Sequence, residues 1–419
     1  MTRSETSVVG RQPKAGAFVL GVPETLGSIL RPEDNNFGLL RLAAAASVVL
    51  THAAWLSTGD NLSQPLSGFG RYNLGQHAVH LFFVLSGLMV AGSLDRSASL
   101  VEFALARALR ILPGLLVCAS LTAFLLGPVV SSFSPVSYFS DARTYLYPLQ
   151  VATIAKITAS LPGVFETTPV RGVVNEPLWT LKYEVFCYAG LAILSSLGAL
   201  RSSRAFLAVF LIAFSILVPL TWKRVDPVSL NVAHHFARLG LCFLIGVAFY
   251  RYRSILRLHW LAVAGGIGAW WIGRGTGLEA VLTFLLTGYL GLMLATVPIG
   301  FARTFTNRSD LSYGVYIYGW PVTQALVWAV PGLGPVPAAV VSLGLAGMLA
   351  WFSWTWVEQP SLKARNRLRC LLAGPGSRLW AAAPISPSRC GHEEPTGPTG
   401  SSAPHLRRTP LLSPTRRPS

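Results

Sequence analysis

Long apolar runs constrain this chain more than any other feature. Stretches of about 17–25 residues with almost no charge, enough for a helix to cross a bilayer, recur along most of its 419 residues. Inside a bilayer the backbone N–H and C=O groups find no water, so such runs are confined to helices or closed barrels. Barrel strands would read as short segments of alternating polarity, which this sequence lacks. The fold class is therefore all-α, a polytopic integral membrane protein. Composition agrees: 52% of residues are hydrophobic and 12% charged, whereas soluble domains run near about 25% charged.

Hydropathy gives ten transmembrane helices, at about 37–56, 77–94, 111–130, 178–200, 205–221, 234–250, 258–273, 278–296, 311–330 and 336–356. The seventh is short and rich in Gly. Residues 143–160 are marginally apolar and read as a re-entrant or interfacial helix. The polar segment 1–34 lacks the basic, apolar, small-residue order of a cleaved signal and reads as a cytoplasmic tail. The membrane domain covers 35–363. Residues 364–419, basic and rich in Pro, Ser and Arg, read as a disordered cytoplasmic tail. With both termini cytoplasmic, the inner segments hold most of the 34 Lys and Arg, as positive-inside topology requires. That topology also accounts for the net charge of +17. No basic stripe accompanies a nucleic-acid-binding module, so no nucleic-acid partner is expected. Five cysteines without CxxC spacing support neither a metal nor a disulfide role, and no internal repeat is visible.

Ionisable groups inside spans are costly and usually functional. Arg41 and His52 are 11 residues apart, which puts them on one helix face about 16 Å apart along the axis. Arg41 can be read as snorkelling to headgroups. His52, on a helix otherwise built of Ala, Val and Leu, suits a general base. Arg107 and Arg110 share a face on an amphipathic lead, Glu102 to Arg110, into the third span, where guanidinium forks would match phosphate oxygens. Ser86-Gly87 lacks the leading glycine of a G-x-S-x-G elbow, so close helix packing is its expected role. Glu184, one turn after Thr180 in NEPLWTLKYEVF, is a buried carboxylate that needs a partner, and Arg238 is the expected one. Tyr313, Tyr316 and Trp320 recur at helical spacing around Pro321, as packing or as a sugar platform. His77 and His80 lack a carboxylate cluster that would complete a metal site.

The order of these motifs resembles the membrane-bound acyltransferase-3 family. NNFGLLRLAAAASVVLTH, VHLFFVLSGLMVAGSL with FALARALRILPG, NEPLWTLKYEVF, LSYGVYIYGWP and WVEQP span Asn35 to about Lys363. The resemblance implies ten core helices in a bacterial inner membrane. It implies O-acylation of carbohydrates or other small hydroxyl compounds, with acyl-CoA, usually acetyl-CoA, as co-substrate and no tightly bound cofactor. Members modify surface polysaccharides, Nod-type oligosaccharides and macrolides. Carried over by position, the catalytic groups are His52, Arg41 and Glu184. Arg107 and Arg110 would hold the acyl-CoA phosphates, in a cavity lined by helices one, three and four. Trp179, Thr180, Tyr313, Trp320 and Arg238 would line the substrate. Many relatives carry a histidine just before the helix-nine proline, where this chain has Gly319-Trp320-Pro321. A proton-coupled transporter or flippase of a lipid-linked sugar is the alternative, because intramembrane Arg, His and Glu also suit a proton relay.

Overall fold

The computed structural model describes residues 25–30, 35–154, 159–222, 232–297, 306 and 309–364. All belong to one unit, Met1–Arg369, and the expected terminal tails lie almost wholly outside the described residues. The chain folds into α1 (Phe37–Thr58), α2 (Leu74–Asp95) and α3 (Leu100–Leu121), the last running on through a π turn, Thr122–Leu126. Two shorter helices follow, α4 (Pro135–Ser140) and α5 (Ala142–Ala152). Next come α6 (Trp179–Ser196), α7 (Ser203–Trp222), α8 (Val232–Arg251) and α9 (Trp260–Gly273). The series ends with α10 (Glu279–Thr296), α11 (Ser312–Ala329) and α12 (Pro335–Ser353), which passes into a second π turn, Trp354–Glu358. Among the described residues there are no strands, only two isolated bridges.

Every expected span has a helix, but 7 are long and apolar enough to cross a membrane among the described residues. The other three have physical reasons. α9 has 14 residues, α6 carries Lys182 and Glu184, and α11 is diluted by Tyr, Gly, Pro and Gln. The amphipathic lead and the third apolar span form one helix from Leu100, started by Ser99, whose side chain accepts from the Glu102 N–H. The marginal stretch folds in part as α5, which packs against α3; residues 155–158 lie outside the described residues.

A multi-pass membrane protein is the physical conclusion. α7 has the highest mean hydropathy of the spans, 2.4, yet only 17% of it is buried. Leu211, Ile212 and Ile216 on it are more than half exposed. A row of that kind is unfavourable against water and stable against lipid chains. The interior is built around α2 and α8, which make the most extensive helix pair, and around α1 packed on α11 and α12. The α2–α8 approach depends on glycine. A Cβ on Gly87 would run into the Phe243 carbonyl oxygen, and one on Gly246 into that of Val84. Expected helix packing by the Ser86-Gly87 pair is thus realised by Gly87.

Candidate active site

A cavity of about 800 Å³ opens among the N-terminal turns of α1, α3 and α11 and the C-terminal turns of α2. Of the residues proposed from sequence it brings together Arg41, Arg107, Arg110, Thr180, Glu184 and Tyr313. His52, Trp179, Arg238 and Trp320 do not line it. Its walls come from α1, α2, α3, α6 and α11, so α2 and α11 join the three helices expected.

Two arginines at the mouth are tied down. Arg41 Nη1 lies 2.7 Å from Asp310 Oδ2, and Arg110 Nη2 lies 2.6 Å from the same oxygen. Arg110 Nη1 also reaches Glu358 Oε2 at 3.0 Å. Ser312 Oγ donates to Asp310 at 2.6 Å and Ser353 Oγ to Glu358 at 3.0 Å. The Arg110 guanidinium lies over the rings of Tyr313 and Trp354 at 5.5 and 5.7 Å. Burial alone would push the Asp310 carboxyl up, but Arg110 and Arg41 override it and hold the group well below the usual carboxylate range. Arg41 is therefore an ion-paired residue and not a cation snorkelling to headgroups.

Arg107 is different. Its Nη2 donates to Ser93 Oγ across 3.4 Å, and its guanidinium lies 6.0 Å above the Tyr188 ring. Its Nε is buried without a hydrogen-bond partner. That leaves it donor capacity to spare, as Arg96 at the rim of the same cavity also has, and a phosphate oxygen is the kind of acceptor such a group fits.

Deeper in, Glu184 Oε1 accepts from Ser86 Oγ at 3.1 Å and from the Tyr188 hydroxyl, and the two hydroxyls are 3.2 Å apart. Ser86 lies seven residues before Ser93 on α2, so this cluster is about 10 Å below Arg107's contact. Thr180 Oγ1 and the Tyr316 hydroxyl meet at 2.8 Å beside it.

The expected Glu184–Arg238 pair does not form. Arg238 lies over Tyr72 and Trp179, at 5.6 and 5.8 Å, and its Nη2 is 3.5 Å from His235 Nδ1. Trp179 and Glu184, five residues apart on one helix, point about 140° away from each other, so Arg238 faces the side of α6 turned from Glu184. His52 lies elsewhere again. Its ring packs edge-on against Trp320 at 4.8 Å, with Trp55 at 6.3 Å, and its Nδ1 is buried without a hydrogen-bond partner. Trp320 follows cavity-lining Tyr316 by one turn, about 6 Å further along α11, and its Nε1 donates to the Val173 carbonyl at 3.1 Å.

Sequence reading missed Asp310, Glu358 and Ser86. Asp310 directly precedes LSYGVYIYGWP and Glu358 is the acid of WVEQP; both lie just beside apolar spans, whereas Glu184 stands out because it lies within one. Ser86 reads as packing in sequence because it lacks the leading glycine of a nucleophile elbow.

A model of the acyltransferase domain matches residues 34–357. An O-acetyl transferase of Shigella phage Sf6 is 29% identical over 336 residues, 78% of this chain and 96% of that protein. Nodulation protein 10 of Rhizobium leguminosarum bv. viciae is 30% identical over 365 residues, 80% of this chain and 95% of that protein. No solved structure matches. The motif order, the helical membrane fold and a match over most of the chain agree: it belongs to the acyltransferase-3 family and is an acyltransferase.

Proposed function

We propose that the protein moves an acetyl group from cytoplasmic acetyl-CoA to a hydroxyl of a carbohydrate or glycosylated small molecule, in a bacterial inner membrane. The observation that carries this reading is the cavity: a mouth ringed by arginines, one with an unpartnered buried donor, above a half-buried carboxylate. The phage relative, an O-acetyl transferase, supports acetyl and an oxygen acceptor. The Lys and Arg bias of the loops supports a cytoplasmic mouth.

In this reading Arg107 binds the CoA phosphates. Arg110 and Arg41, neutralised by Asp310 and Glu358, shape the entrance and contribute less charge than their number suggests. The acyl thioester descends toward Glu184. His52 serves the acceptor side as general base, or takes the acyl group itself, with Trp320 and Trp179 as apolar walls and Arg238 as a hydrogen-bond donor for the acceptor. Thr180 and Tyr313 flank the acyl path. An acyltransferase leaves the transporter alternative without support.

The test uses purified protein in lipid nanodiscs, supplied with acetyl-CoA and a panel of sugar acceptors, with free CoA and acetylated product measured together. Product that appears only with acetyl-CoA supports the reading. His52→Ala and Glu184→Gln are each expected to cost about 10²–10⁴-fold in kcat, the range for general acid–base groups. Full transfer by both variants contradicts the assignment.

A further inference from the structure

We propose that Ser86 accepts the acyl group from CoA and carries it as an oxyester before the acceptor takes it. This rests on the acyl-CoA reading of the cavity.

Hydroxyls inside helices usually bond back to the carbonyl one turn earlier. Ser47, Thr51 and Thr323 do so here, to Ala43, Ser47 and Gly319. Ser86 instead points its hydroxyl across to α6 and places it on Glu184 at 3.1 Å. A hydroxyl within hydrogen-bond reach of a carboxylate, in a cavity that admits the substrate, is the arrangement of a nucleophile with its base. The Tyr188 hydroxyl supplies the third group. It donates to Glu184 and lies 3.2 Å from Ser86 Oγ, so it can donate to the serine oxygen as negative charge develops there. The serine is also held rigidly, because its neighbour Gly87 is clamped against the α8 backbone. His52, the other candidate to receive the acyl group, does not line this cavity.

The steps balance. Ser86 Oγ attacks the thioester carbonyl carbon and its proton passes to Glu184 Oε1. The C–S bond breaks, and the thiolate leaves with the proton from Glu184 as free CoA thiol. In the second half Glu184, in place of His52, is the base: the acceptor hydroxyl attacks the acyl-serine carbonyl and gives its proton to Glu184. The bond to Ser86 Oγ then breaks, and the serine recovers that proton. No oxidant, metal or further reactant is needed. The relay frees the acceptor from sharing the cavity with CoA.

The experiment mixes purified protein in nanodiscs with acetyl-CoA labelled in the acetyl group, without acceptor, and denatures it within seconds. The wild type is expected to carry label on Ser86 in the 74–95 segment, matched by released CoA. Ser86→Ala is expected to bind acetyl-CoA with unchanged affinity, which reports an intact fold, and to carry no label. Ser86→Cys is expected to carry label that neutral hydroxylamine strips, as a thioester, where the wild-type oxyester resists. Wild-type protein that binds acetyl-CoA but carries no label, or label that persists in Ser86→Ala, overturns the serine relay and leaves the acyl-CoA reading standing. Wild-type protein that fails to bind acetyl-CoA overturns both.

Discussion

The residue that organises the cavity mouth is Asp310, which neutralises arginines from two helices. Removing its charge leaves Arg41 unpaired and Arg110 with Glu358 alone. Breaking a largely buried pair costs about 3 kcal/mol or more, so Asp310→Asn is expected to lower the melting temperature in detergent clearly. The pH dependence has a definite sign. Asp310 titrates below its ordinary value when folded, so its contribution is present above the unfolded pKa of about 3.9 and fades as pH falls below it. The stability gap between wild type and Asp310→Asn should close as pH falls below about 4. A gap that widens on acidification would contradict the pairing. Glu184 makes the complementary point. Its polar partners are Ser86 and Tyr188, so Glu184→Gln and Arg238→Ala should affect melting additively, to within about 0.5 kcal/mol. A large coupling energy would restore the pair expected from sequence.

At the scale of the element, α2 both packs on α8 and lines the cavity. Its contact with α8 leaves no room for a side chain on Gly87 or Gly246. Gly246→Ala, away from the cavity, should separate the helices and cost about 1–3 kcal/mol or more, read as a loss of folded yield. Yield equal to wild type would show that the pair is looser than described. The motif VLSGLMVAG made a close crossing legible, because runs of small residues have few other uses in a membrane helix. Which way Ser86 faces was not legible, since that depends on where α6 arrives. The π turn at Trp354–Glu358 belongs to the same class: it sets the register that brings Glu358 to Arg110, and hydropathy carries no sign of it.

For the whole molecule, the helical membrane fold and the order of its helices were readable, because lipid leaves the backbone so few choices. The count of spans was less so: α6, α9 and α11 owe their place to packing and to the site as much as to hydropathy. Of the candidate site, the sequence named residues that the cavity gathers in part, and not their geometry. Arg41 and His52 share a helix face, as their spacing required, yet one pairs with Asp310 at the cavity mouth and the other packs against Trp320 outside it. α7 gives a test of the membrane surface. Arginine at Leu211 or Ile216, both exposed, should cost up to about 2.5–3.5 kcal/mol of insertion at mid-span, and membrane integration should fall accordingly.

The central claim is that the acyl donor docks in this cavity through Arg107. Equilibrium binding of acetyl-CoA to wild type and to Arg107→Ala, both in nanodiscs, tests it most directly. Loss of a charge-assisted phosphate contact predicts affinity weaker by roughly tenfold or more, with melting little changed. Equal affinity in the two proteins would contradict the account.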